Sequence, residues 1–267
     1  MKRLYAICAV LFSLTVYQCT TVAVTGRKQL SLIPDSQILP LSANQYVEVI
    51  QASNLSSNKE QRDLVLGVGQ RIQKAVETYF ANEGLSSQLK NYKWEYNLIE
   101  DDQVNAWAMP GGKVAFYTGI LPICQDDQGV AVVMGHEIAH AVANHGRERM
   151  SQGLVAQLGL SSLQVALGQN PTVTKNLLLQ ASGAATNLGI MAFGRNQETE
   201  ADRLGLIFMS MAGYDPKAAP QFWERMAARS GGSSTPEFLS THPSTATRIS
   251  DLNRAVPEAM QYYNKGR

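Results

Sequence analysis

Residues Gly135–His145 read GHEIAHAVANH, and the first six of them decide what kind of fold surrounds them. On a helix His136 and His140 are four apart and lie one above the other, so both imidazoles can reach a single ion, each with a nitrogen about 2.0–2.1 Å from zinc. Glu137 is rotated by about 100° from His136, beside such an ion rather than on it, where a carboxylate can take a proton from an attacking water. The plainer alternative is a solvated helix that carries two histidines by accident. With only four histidines in 267 residues, chance produces the five-residue pattern in on the order of one in a few hundred such chains. Val132, Val133, Met134, Ile138 and Val142 around it make the helix semi-buried, which also favours a metal site.

A catalytic zinc needs three protein ligands and keeps a fourth position open. A third histidine six residues after the second would require glycine at 143 and histidine at 146, where the chain has Ala143 and Gly146. His145, one residue off, reads as a cation at a helix C-terminus. A carboxylate is the usual substitute, and RNQETEADRLGL, from Arg195 to Leu206, offers three. Glu198 and Asp202 share one helical face, while Glu200 is turned about 200° from Glu198 and is expected on the solvent side. That face can offer a ligand and a supporting carboxylate, with Asp202 placed to orient a ligating histidine or pass protons. Otherwise all three acids form a solvated face that pairs with Arg195 and Arg203. Pro243 suits the first turn of a helix, which puts His242 at or just before a helix start. Facing the metal, His242 would either stabilise an oxyanion or bind the ion itself and close the site until it swings away.

Further out, the signals are structural. A composition of 45% hydrophobic residues with a net charge of +1 supports a sizeable core and gives no reason to expect nucleic acid as a partner. Lys2 and Arg3 precede an uncharged run from Leu4 to Tyr17, the shape of a secretory signal and too short for a membrane span. The expected division is a signal peptide over 1–18, a lipidated tether and lead-in over 19–40 that starts at Cys19, with ordinary secretion or an uncleaved anchor as the alternatives, and a single domain over 41–267. Cys124 then has no disulfide partner and is expected to be a small buried apolar residue. Apolar spacing predicts helices over Ala43–Ala52 and Lys59–Phe80. Alternation at Tyr92, Trp94, Tyr96 and Leu98 predicts a strand, and NAWAMPGGKVAFYTGIL, from Asn105 to Leu121, predicts an extended pair turning at Pro110-Gly111-Gly112. Asp126 and Asp127 can cap the helix of the histidines, with Gly146 as its stop. From Met150 to Gly194 the only charged residue is Lys175. This stretch reads either as two helices packed on the core or as a mobile apolar hairpin over the cleft, and neither half is a convincing membrane span.

GHEIAHAVANH and RNQETEADRLGL, with NAWAMPGG ahead and THPSTATRI behind, resemble the HEXXH zinc metallopeptidases that include bacterial HtpX, BepA and LoiP and the CAAX prenyl proteases. TTVAVTGRKQLSLIP, from Thr20 to Pro34, is similar to the start of the exported lipoprotein members. The resemblance implies an α+β, mainly helical, gluzincin-like zincin with a small antiparallel sheet beside the HEXXH helix. It implies one zinc per chain on His136, His140 and Glu198, with Glu137, Asp202 and His242 as catalytic residues. Extended protein or peptide substrates would add a strand near Trp107 to Pro110, and they would be misfolded or unassembled envelope proteins. The location it implies is the periplasm, with a lipid anchor on Cys19 in the outer membrane. A chaperone-like or adaptor lipoprotein with a structural zinc is the competing function.

Overall fold

The apolar periods of the sequence become the frame on which the histidine helix is hung. A computed structural model describes residues 19–158, 171–182, 194–229, 236–242 and 247–265. It begins with an antiparallel hairpin of β1 (Cys19–Thr21) and β2 (Lys28–Leu30), in which Cys19 stands opposite Leu30. Helix α1 (Asp35–Ala52) starts earlier than the apolar spacing suggests and continues through Pro40. Helix α2 (Lys59–Asn82) opens on Asn58, whose side chain accepts the N–H of Gln61, and buries Val65, Val68, Ile72, Val76 and Tyr79. Those residues lie on the apolar stripe that defines the helix in the sequence.

Three strands follow: β3 (Glu95–Ile99), β4 (Ala106–Met109) and β5 (Lys113–Tyr117). The β4–β5 hairpin turns at Gly111 and Gly112, with φ of +88° and +83°, a region open mainly to glycine. The sheet order is β3-β5-β4, with β5 antiparallel to β4 and parallel to β3. The sheet is therefore mixed rather than wholly antiparallel. Alternation marks a strand but not the direction of its neighbour, and the hairpin inserts β5 between β3 and β4.

Asp126 then caps α3 (Asp127–Val142) by accepting the N–H of Gly129 at 3.0 Å. Every residue of α3 from Gly129 onward is buried. The helix ends at Ala143, where Asn144 takes the left-handed conformation with φ of +60°, which asparagine tolerates through local hydrogen bonding. Gly146, the expected stop, lies inside the next helix, α4 (His145–Leu158). The remaining helices are α5 (Pro171–Ser182), α6 (Arg195–Met211), α7 (Ala218–Arg229), α8 (Glu237–Thr241) and α9 (Arg248–Lys265). Of the apolar stretch expected as a hairpin, residues 159–170 and 183–193 lie outside the described residues, as do residues 1–18, expected as a signal peptide.

The result is a mainly helical α+β fold whose main core joins residues of α2, α3, α6 and the sheet, with Phe80, Val114, Val133 and Phe208 among them. Cys124 is buried in that core with its thiol pKa pushed up by burial. Among the described residues no helix is long and apolar enough to cross a membrane.

One crossing sets the geometry of everything that follows. Where α3 meets α6, a Cβ built on Gly135 would lie 2.8 Å from the carbonyl oxygen of Gly205, and one on Gly205 would lie 2.9 Å from the nitrogen of His136. Two glycines thus let the backbones approach more closely than any side chain permits. Gly205→Ala is expected to destabilise the fold by up to about 2 kcal/mol, since overpacking costs about 1–3 kcal/mol and the better helix propensity of alanine offsets about 1 kcal/mol. Chemical denaturation measures this directly.

Candidate metal centre

The crossing of α3 and α6 brings two short sequence patterns face to face. His136 and His140, one turn apart on α3, direct their Nε2 atoms to the same point, 3.0 Å from each other. Glu198, in the first turn of α6, reaches that point from the other helix: Oε1 lies 3.3 Å from His140 Nε2 and Oε2 3.6 Å from His136 Nε2. His242 follows the last residue of α8, where its N–H bonds back to the carbonyl of Phe238, and residues 243–246, where the sequence suggests a helix start, lie outside the described residues. His242 Nδ1 is 3.1 Å from His136 Nε2 and 3.0 Å from Glu198 Oε1.

These separations test whether the residues fit an ion. A tetrahedron with corners about 2.0–2.1 Å from its centre has edges of about 3.3–3.4 Å. Four donor atoms, one from each of His136, His140, Glu198 and His242, all lie within 4.8 Å of one another, and all four residues are buried. Burial, then the neighbouring His136, lowers the His140 pKa well below the ordinary histidine value, and burial takes His242 down to about 4. Both rings are therefore neutral at pH 7, as ligation requires. Burial opposes the charge on Glu198, but His242 and Arg248 outweigh it and hold the carboxyl well below its usual range. Neutral imidazoles with one ionised carboxylate are a donor set that suits zinc.

Around these donors stand the groups that hold them. Asp202, one turn after Glu198, places Oδ1 3.0 Å from His136 Nδ1. Arg248 donates to Glu198 Oε2 at 2.6 Å and to Asp202 Oδ1 at 2.7 Å, and its guanidinium lies 3.4 Å over the Trp223 ring. Glu137 is 1% exposed. Burial, then the charge of Glu198, pushes its carboxyl well above the usual range, while the backbone N–H of Ala108 in β4 hydrogen-bonds to it. His242 presents its other nitrogen, Nε2, 3.3 Å from Glu137 Oε1.

Two expectations need correction. Glu200 does not face solvent: it is 8% exposed and takes hydrogen bonds from Thr25 and Arg27 of the β1–β2 hairpin. The turn of about 200° from Glu198 carries it to a second buried face that the hairpin covers. His145 is not a cation at a helix C-terminus. It begins α4 fully buried, with Nδ1 2.8 Å from His140 Nδ1 and Nε2 2.8 Å from Glu200 Oε2. Arg248 and Arg27 carry no assignment in the sequence reading, although Arg248 stands in THPSTATRI, six residues after His242.

The profile of peptidase family M48 matches residues 69–256. Among curated relatives, mitochondrial metalloendopeptidase OMA1 of Schizosaccharomyces pombe is 39% identical over 65% of this chain and 50% of its own length. The OMA1 of Saccharomyces cerevisiae is 34% identical over 77% of this chain and 59% of its own length. The beta-barrel assembly-enhancing protease of Escherichia coli is 32% identical over 61% of this chain and 34% of its own length. The matched region thus spans about half the length of the OMA1 relatives. The location expected from the leader and Cys19, a periplasmic lipoprotein of the outer membrane, is overturned by this comparison, because the OMA1 relatives are mitochondrial by name.

Proposed function

The chain belongs to peptidase family M48, and we propose that it is a zinc-dependent endopeptidase acting on protein substrates, with His136, His140 and Glu198 as ligands and Glu137 as general base. The observation that carries this reading is the convergence of the donor atoms of His136, His140, Glu198 and His242 within 4.8 Å of one another. Zinc, when bound, supplies Lewis acidity to the scissile carbonyl and to the attacking water. Glu137 takes the proton of that water and passes it to the leaving amine. Burial, then the charge of Glu198, raises its pKa, the direction that helps a carboxyl pass a proton on. Asp202 orients the His136 ring, and Arg248 holds Glu198 and Asp202 in one fork.

Substrate lies extended along β4, whose Ala108 already contacts Glu137, by strand addition. Support for this comes from the sheet order, which leaves β4 at an edge. Leu179 of α5 packs on the cluster that contains Trp107 and Met109 of β4. The substrate class is membrane proteins that are misfolded or caught before assembly, a reading supported by the name of the beta-barrel assembly-enhancing relative.

His242 closes the resting site. With its Nδ1 3.0 Å from Glu198 Oε1 and its Nε2 3.3 Å from Glu137 Oε1, it would supply a fourth protein donor and engage the base as well. On this reading His242→Ala raises casein cleavage severalfold at unchanged zinc content. Loss of activity in that variant would instead make His242 an oxyanion donor.

A further inference from the structure

The β1–β2 hairpin is far from the donors in sequence, yet its side chains reach Glu200, two residues after Glu198. Arg27 sits beyond the turn at Gly26, where φ is +73°, and its guanidinium reaches two helices at once. Nε donates to Glu200 Oε2 at 2.6 Å, while Nη1 and Nη2 donate to the two oxygens of Glu148 at 3.0 and 2.8 Å. Thr25 donates its hydroxyl proton to the other oxygen of Glu200. Gln197, beside Glu198 on α6, donates to Glu148 at 2.7 Å. Both oxygens of Glu200 are thereby engaged, Oε1 by Thr25 and Oε2 by Arg27 and His145.

From Glu200 the contacts run inward through two rings. With Nε2 of His140 turned to the other donors, its proton is on Nδ1, which then donates to His145 Nδ1 at 2.8 Å. His145 must in turn carry its proton on Nε2, which donates to Glu200 Oε2, also at 2.8 Å. One tautomer of each ring satisfies the whole chain of bonds, and each bond fixes the ring beyond it.

We propose that the N-terminal hairpin is a working part of the metal centre: Thr25 and Arg27 fix Glu200, Glu200 fixes His145, and His145 fixes the ring of the ligand His140. These are positioning residues, and their effect is to lengthen the residence time of zinc. The proposal deepens the reading of this site as a zinc centre and rests on it.

The experiment measures zinc release from the full chain into a chromogenic chelator, together with the visible spectrum of the cobalt-substituted protein. The variants are Glu200→Gln, Arg27→Ala, Arg27→Lys and Thr25→Val. Arg203→Ala is the control, because it removes an exposed ion pair with Glu258 from the same helix. Release is expected to be about 10–100-fold faster in Glu200→Gln and Arg27→Ala, with a shifted cobalt spectrum. Arg27→Lys recovers part of the loss, since lysine keeps the charge but cannot fork between Glu200 and Glu148. Arg203→Ala matches the wild type.

A purely structural hairpin predicts a lower Tm in these variants with zinc release and cobalt spectrum unchanged, and that result overturns the proposal. Should Arg27→Ala fail to fold, Glu200→Gln and Thr25→Val decide the question by the same readouts. A wild type that binds no zinc overturns the reading of the site as well. A wild type that holds zinc tightly, with variants equal to it, overturns the relay alone.

Discussion

Glu137→Gln is expected to reduce peptide-bond hydrolysis by about 10²–10⁴-fold while leaving one zinc per chain, because glutamine keeps the shape of the side chain and removes only proton transfer. The size of the effect follows from where Glu137 sits. It is 1% exposed, so no bulk water stands in for the lost base. It is also outside the donor set of His136, His140, Glu198 and His242, so its loss leaves metal affinity in place. Cleavage of casein or of an unfolded membrane protein by wild type and variant, with zinc measured on both, gives the result. A variant that retains wild-type turnover would remove Glu137 from the chemistry.

Glu198→Ala is expected to lose the zinc altogether. Two imidazoles and His242 would remain, but the carboxylate supplies the only negative charge among the four donors. Its loss also strips Arg248 of one of its two acceptors, at 2.6 Å from Glu198, leaving Asp202 as the other. A buried guanidinium that loses a partner costs several kcal/mol, so the variant should also unfold at lower denaturant concentration. Glu200→Ala, two positions away, should still take up one zinc per chain, though it should hold it less long. If Glu198→Ala binds zinc as tightly as the wild type, the two-helix arrangement is not the metal centre.

What the sequence made legible here was local. The four-residue spacings of His136 with His140 and of Glu198 with Asp202 follow from helix geometry alone, and so do the buried stripe of α2 and the cap at Asp126. What escaped it depended on distant chain. Glu200 reads as a solvent-facing acid because nothing near it in sequence announces Arg27, 173 residues earlier. His145 reads as a cation at a helix C-terminus for the same reason, since its partner Glu200 is 55 residues away. The parallel pairing of β3 with β5 was hidden because a strand's alternation carries no information on its neighbour. The end of α3 was misplaced because Asn144 does the work usually given to glycine.

The separation of these partners along the chain also fixes an order in time. A ribosome adds about 5–20 residues per second. The helix of His136 therefore exists for about 5–20 s before His242, 106 residues later, has been made, and Arg248, which holds Glu198, comes later still. Through that interval the nascent chain carries two histidines and a base but lacks Glu198 or the groups that secure it. The hairpin that supports His140 is made first and waits longest for Glu200. The four donors and the arginine that holds Glu198 are therefore all present only once Arg248 has been made.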